Sequence, residues 1–187
     1  ERTINSIKSK LDTFITDSSE INEEFKEFYK ILYKSEYSGN KEAQAAFLNQ
    51  LKFKTLSEED KTTLDSPLTI KDLSEAIDNM NSGKTPGPDG LPIEFYKAFK
   101  NKLIPPLLNM YEGSYKAGIL PDSLRLATIT LLLKPNKPPT ECPSYRGISL
   151  MGCDTKILCK ALSRRLDKYL PNLIINDQQG FIKTRQG

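Results

Sequence analysis

Apolar residues in the first third of the chain recur with the period of a helix. Ile21, Phe25, Phe28 and Leu32 stand at gaps of 4, 3 and 4, so they share one stripe of a helix over 19–35. Asp17 with Glu20 supplies a capping pair, and Lys30 and Lys34 sit at the end the helix dipole favours for cations. A polar break with Gly39 and Asn40 follows, and 41–53 reads as either helix or loop. Ser57 then opens a short helix whose first turn holds Glu58, Glu59 and Asp60; carboxylates there stabilise the helix start and are no metal site. Asp65-Ser66-Pro67 makes a turn. Thr69 with Asp72 caps another helix, with Ile70, Leu73, Ile77 and Met80 as its apolar face.

The second half changes character. Gly83 to Gly90 reads GKTPGPDG, a turn-rich ordered loop. Its GKT is not a nucleotide-hydrolase loop: the glycine required five positions before Gly83 is replaced by Asp78, and a helix precedes where a strand is needed. Pro92 fits the first turn of the next helix, with Phe95, Phe99 and Leu103 on one face. Pro105 and Pro106 restart a helix carrying Leu107, Leu108, Tyr111 and Tyr115, and Gly118 ends it. Leu126 to Leu133 is a β-branched and apolar strand stopped by Pro135, and Tyr145 to Leu150 pairs back antiparallel. Between them lies a loop with Pro135, Pro138, Pro139 and Pro143. The hairpin carries Lys134, Lys137 and Arg146 at its tip and edges. A helix over 155–170 follows, with Leu158, Leu162, Leu166 and Leu170 inward, Lys160, Arg164, Arg165 and Lys168 outward, and Pro171 as its stop. The chain then runs through a polar segment, 176–187.

Composition narrows the chemistry. The 187 residues, 37% hydrophobic and 27% charged, fit a soluble globular protein of one domain or one and a half. No apolar run approaches a membrane span, the first ten residues are too polar for a secretory signal, and the missing initiator Met points to a piece of a longer chain. With no histidine, His-dependent triads and two-Cys, two-His zinc sites are excluded within this chain. Cys142, Cys153 and Cys159 form no C-x-x-C pair and read as reduced core thiols of a cytoplasmic or nuclear protein. Net charge is uneven. Residues 1–94 carry 12 basic and 18 acidic side chains, a balance of −6, and residues 95–187 carry 15 and 6, a balance of +9. A basic half joined to an acidic half points to a polyanion-binding surface, with nucleic acid the commonest partner.

The order of motifs resembles a known family. GKTPGPDGLPIEFYK at 83–97, ILP at 119–121, ATITLLLKPNKPP at 127–139, YRGISL at 145–150, KILCKALSRRL at 156–166 and DQQGFIKTRQG at 177–187 are similar to the reverse transcriptase of a long interspersed element, a non-LTR retrotransposon. EINEEFKEFYKILYKSEY at 20–37 resembles the linker between endonuclease and polymerase in such elements. Each motif alone is weak; their order and spacing make the signal specific.

The resemblance implies an α+β, mostly helical piece. Helices of an N-terminal extension occupy 1–82, and 83–187 is the start of the polymerase domain, the fingers of a right hand with a small antiparallel hairpin, stopping before the palm's catalytic motifs. It implies that Arg146 matches the triphosphate-binding Arg of a Y-R-P-I-S motif and that Lys134 matches the basic residue ending the preceding strand. Gln178, Gly180, Phe181 and Arg185 match a motif lying along the template. Lys137, Arg164 and Arg165 are further candidates for nucleic-acid contact. Arg and Lys suit these tasks because a triphosphate carries about four negative charges and Arg can grip two phosphate oxygens at once. Two departures stand out: Gly147 replaces the family's Pro, which relaxes the strand, and Met151-Gly152-Cys153 differs from the usual residues before the Asp.

Polymerase chemistry needs paired carboxylates to hold two metal ions about 4 Å apart, and no Asp-Asp pair occurs here. Asp154 and Asp177 read as caps. The expectation is therefore an RNA-directed DNA polymerase fragment with no catalytic residue, metal site or cofactor of its own, inactive alone, its full-length parent using magnesium. The implied partners are an RNA template, a DNA primer, deoxynucleoside triphosphates and the remaining palm and thumb, with no membrane. Two alternatives stay open: a stand-alone nucleic-acid-binding module, or a helical interaction domain, derived from such an element.

Overall fold

The computed structural model describes residues 3–36, 39, 41–174 and 178. Helix dominates, with small antiparallel sheets, which is an α+β composition. In chain order the elements are β1 (Ile7–Lys8), β2 (Phe14–Ile15), α1 (Ser18–Leu32), α2 (Lys41–Asn49), α3 (Glu58–Leu64), α4 (Ile70–Asp78), α5 (Ile93–Ala98), α6 (Lys100–Ala117), α7 (Asp122–Arg125), β3 (Ala127–Leu133), a 3₁₀ turn (Cys142–Ser144), β4 (Tyr145–Met151), α8 (Cys153–Leu166) and α9 (Leu170–Leu173). Among the described residues no helix is long and apolar enough to cross a membrane. The chain forms two compact units, Glu1–Gln50 with Ile129–Ser149, and Leu51–Thr128 with Leu150–Gly187.

The first unit is built on α1. Asp17 caps it, its carboxylate accepting from the N–H groups of Ser19 at 2.9 Å and Glu20 at 3.0 Å. Ile21 and Phe25 are buried with Ile7, Cys142 and Tyr145, and Phe28, Tyr29 and Leu131 pack around them. Full burial of an Ile or Phe contributes about 1.5–3 kcal/mol. Phe25 meets Tyr145 edge-on, ring centroids 5.3 Å apart, an arrangement worth about 0.5–1.5 kcal/mol beyond area. Leu32, expected on the buried stripe, is exposed; the core contacts of α1 end with Phe28 and Tyr29. The hairpin of β1 and β2 has no counterpart in the hydrophobic pattern: Ile7 pairs with Ile15 and Lys8 with Phe14, and Asp12 turns the chain at φ 61°.

The second unit packs Leu73, Ala76 and Ile77 of α4 with Ile93, Tyr96, Ile104, Tyr111 and the start of α8. Thr69 and Asp72 form the expected capping box, Asp72 N–H donating to Thr69 Oγ1 at 3.1 Å and Thr69 N–H to Asp72 Oδ2 at 2.9 Å. Ile70 and Phe99, read as inward, are exposed. The helix expected to restart at Pro105 is one helix from Lys100 through both prolines; they forgo only the bonds to the carbonyls of Asn101 and Lys102, near its opening. Gly118 closes it in the left-handed region at φ 69°. Pro171 opens the short α9, where its fixed φ fits, and stops nothing.

Helix α8 is rolled relative to its leucine pattern. Cys153, Ile157 and Ala161 are buried, whereas Leu162 and Leu166 are exposed. Two ion pairs to α4 accompany that roll. Arg164 Nη2 lies 2.6 Å from Glu75 Oε2, and Arg165 Nη2 lies 2.7 Å from both Asp72 Oδ2 and the Pro67 carbonyl; Arg165 also donates to the Ser66 carbonyl. Neither arginine is the solvent-facing residue its position indicated. Cys142 and Cys153 are buried as expected, and Cys159 is exposed. Burial pushes the Cys142 thiol up to about 11.

Candidate nucleic-acid interface

In the first unit the segment 129–149 presents the hairpin tip. Four prolines and Asn136, at φ 57°, shape its loop. Lys134 N–H donates to the Ser144 carbonyl at 2.8 Å, and its ammonium donates to the Pro143 carbonyl at 2.7 Å, so this lysine is held at the mouth of the loop. Tyr145 anchors the return strand by donating to the Pro139 carbonyl at 2.6 Å. Lys137 is exposed at the tip. Arg146 is exposed on β4, and no ion pair or side-chain hydrogen bond engages it among the described residues. Gly147 has a packing reason that sequence did not reveal. A Cβ there would lie 3.2 Å from Ile129 Cγ2 and 3.3 Å from the Tyr29 ring. The missing side chain seats Tyr29; it does not merely loosen the strand.

In the second unit the GKTPGPDG loop lies against the entry to α8. A Cβ on Gly87 would fall 2.4 Å from the Gly152 nitrogen and 2.5 Å from the Met151 carbonyl carbon, so only glycine fits. Gly83 N–H donates to Glu94 at 2.6 Å, and Lys156 Nζ donates to the Thr85 carbonyl at 3.3 Å. Tyr111 donates to the Asp154 carbonyl at 2.7 Å. Burial, then the charge of Asp154, pushes the Tyr111 phenol far up, so it stays neutral. Asp154 accepts from Thr155 N–H at 2.7 Å, but it stands inside the first turn of α8, whose N-cap is Gly152 without a side-chain cap bond, so it is not the cap its place in the sequence indicated. An open-sided pocket of about 300 Å³ lies beside this loop, and Lys84, Lys156 and Lys160 line it.

The sequence-derived candidates therefore separate. Lys134, Lys137 and Arg146 share the hairpin tip and its strands. Arg164 and Arg165 have their guanidiniums engaged by protein acceptors. Gln178 is exposed, and Gly180, Phe181, Arg185 and Asp177 lie outside the described residues. The lysines of the pocket were not singled out together, because Lys84 is 72 residues from Lys156 in sequence; the i, i+4 spacing of Lys156 and Lys160 was the one local signal. Among the described residues no group of three or more acidic, cysteine or histidine side chains could hold a metal ion.

No family model matches the chain. Over 131 residues it is 37% identical to the transposon TX1 uncharacterized 149 kDa protein of Xenopus laevis, 70% of this chain and 10% of that protein. It is 28% identical over 123 residues to the probable RNA-directed DNA polymerase from transposon BS of Drosophila melanogaster, 65% of this chain and 13% of that one. It is 24% identical over 113 residues to the RNA-directed DNA polymerase from mobile element jockey of Drosophila funebris, 60% of this chain and 12% of that one. The chain thus spans about a tenth of the length of these relatives.

Proposed function

Because this chain is a relative of transposon-encoded proteins that include RNA-directed DNA polymerases, we propose that it is the linker (1–82) and first polymerase portion (83–187) of a non-LTR retrotransposon reverse transcriptase. That division follows origin rather than packing. The 83–187 part works as fingers: it binds the RNA template with its DNA primer and the incoming deoxynucleoside triphosphate. Arg146 and Lys134 clamp the triphosphate, and Lys137 and the 177–187 segment contact nucleic acid.

The observation that carries the reading is Arg146: exposed in a Y-R-x-I-S setting on the strand that returns from a basic loop, with no partner for its charge among the described residues. The pairing of Arg164 and Arg165 with carboxylates argues against a direct phosphate role for them. Magnesium belongs to the parent enzyme. The described residues do not gather ligands that fit it, so no step is routed through it here.

The test is Arg146→Ala in the element's full-length polymerase. A charge-assisted contact that strengthens as phosphoryl transfer develops charge is lost, so incorporation should fall roughly 10²-fold, about 2.7 kcal/mol. Arg146→Lys should recover part of that, since a point charge replaces a two-pronged donor. Pre-steady-state incorporation by the alanine variant within about twofold of wild type, at matched folding, would mean that Arg146 has been given the wrong role.

A further inference from the structure

We infer that the open-sided pocket beside the GKTPGPDG loop is a second phosphate-binding surface, one that takes the backbone of single-stranded nucleic acid. The inference deepens the polymerase reading and rests on it for the identity of the strand. Its own support is local. Lys84 comes from the loop and Lys156 and Lys160 from one face of α8, and no carboxylate is among the residues lining the pocket.

The contrast with other lysines is informative. Lys26, Lys30, Lys61 and Lys71 each have a glutamate three or four residues away and pair with it. Lys156 and Lys160 have none at those spacings: the neighbours are Gly152, Cys153, Ile157, Cys159, Ser163 and Arg164. They stand one turn apart with like charge, which is repulsive. Arg164, the next cation along, is neutralised by Glu75, and Asp78 beside the pocket is neutralised by Lys100 at 2.8 Å.

The carboxylates that act on buried Cys153 are Asp89, Asp154 and Glu94. Each keeps its charge while accepting a backbone N–H, from Leu91 at 3.2 Å, Thr155 at 2.7 Å and Gly83 at 2.6 Å respectively, and none of the three lines the pocket. The pocket's own lining is a cationic rim over a partly apolar floor that includes Met80 and Ile93. An enclosed, hydrogen-bonding cup would suit a small anion. An open trough with cations from two elements suits a polymer whose phosphates meet the rim while sugar and base lie on the floor.

The experiment uses the whole chain and a fluorescein-labelled single-stranded RNA oligonucleotide, with anisotropy followed over a range of potassium chloride concentrations. Lys84→Gln/Lys156→Gln/Lys160→Gln should bind at least about tenfold more weakly and lower the log–log salt slope by roughly 2, three phosphates at ~0.7 each. Lys156→Gln also gives up the bond to Thr85, so Lys160→Gln alone keeps the test independent of folding: its slope should fall by about 0.7 with an unchanged melting temperature. Replacing all three lysines by Arg should preserve the slope. Lys134→Gln/Lys137→Gln/Arg146→Gln is the comparison. Loss confined to that hairpin variant, with the pocket variants at wild-type affinity and slope, overturns this inference and leaves the polymerase reading standing. Wild-type chain that fails to bind RNA at low salt overturns both. Displacement of the RNA by inorganic tripolyphosphate at equal concentration would make the pocket a small-anion site and overturn the inference as well.

Discussion

Gly87 and Gly147 are both glycines, and they answer to different constraints. At Gly87 the obstruction is main chain: the Gly152 nitrogen, the Met151 carbonyl carbon and the Gly152 Cα all lie within 2.6 Å of where a Cβ would sit. At Gly147 the nearest atoms belong to side chains, Ile129 and Tyr29, which would have to give by a few tenths of an ångström. Gly87→Ala must push the loop off the entry of α8, an overpacking that costs on the order of 1–3 kcal/mol. The expected outcome is a lower chemical-denaturation midpoint with an unchanged slope in denaturant; a midpoint equal to wild type would show that the loop tolerates the shift. The same contact explains why GKTPGPDG could be read as an ordered loop but its need for glycine at position 87 could not. The proline and glycine content is local, whereas the atoms that exclude a side chain belong to Met151 and Gly152, more than sixty positions further on.

At the scale of elements, caps and stripes were legible and helix roll was not. Asp17, Ser57 and Thr69 all cap the helices they were assigned to, because a capping side chain and its N–H partners lie within one turn. The hairpin of β3 and β4 was visible in its β-branched run and its prolines. The two-pair ladder of β1 and β2 was too short to leave a period. Leu162 and Leu166 of α8 mark a face that the fold does not bury, since its partners, the apolar face of α4 with Asp72 and Glu75 beside it, sit on another helix. Asp72 shows what that docking does to titration. Burial pushes its carboxyl up, but hydrogen bonds from Arg165 and Thr69 outweigh burial and hold it below the usual carboxylate range. A depressed folded-state pKa adds stability that is present above the unfolded value, near 3.9, and is lost as pH falls through the folded one. Stability should therefore decline on acidification below about pH 4. Asp72→Asn should be less stable at neutral pH and show a shallower decline. An identical pH profile for both proteins would remove Asp72 from the account.

For the whole molecule, charge and motif order were readable from sequence, but the division into units was not, because the chain leaves one unit and comes back. Residues 129–149 lie between two parts of the second unit and complete the first. Their apolar side chains are only partly used: Leu131 packs on the core, while Ile129, Leu132, Leu133 and Ile148 are 39–54% exposed. Replacing 129–149 by a short Gly-Ser linker should leave α1 without Cys142 and Tyr145. Limited trypsin digestion at Lys26 and Lys30 should then speed up many-fold, while the core around Leu73 and Ile157 keeps its cooperative melting. Equal resistance of α1 in both proteins would show that it is held by something else. The interleaving also sets a timetable for synthesis. Ile21 and Phe25 leave the ribosome well over a hundred residues before Tyr145, which at about 5–20 residues per second is a wait of roughly 6–25 s. Through that interval the first helix is a nascent amphipathic segment without its cover, open to chaperones and to neighbouring chains, and it is secured only when the hairpin emerges.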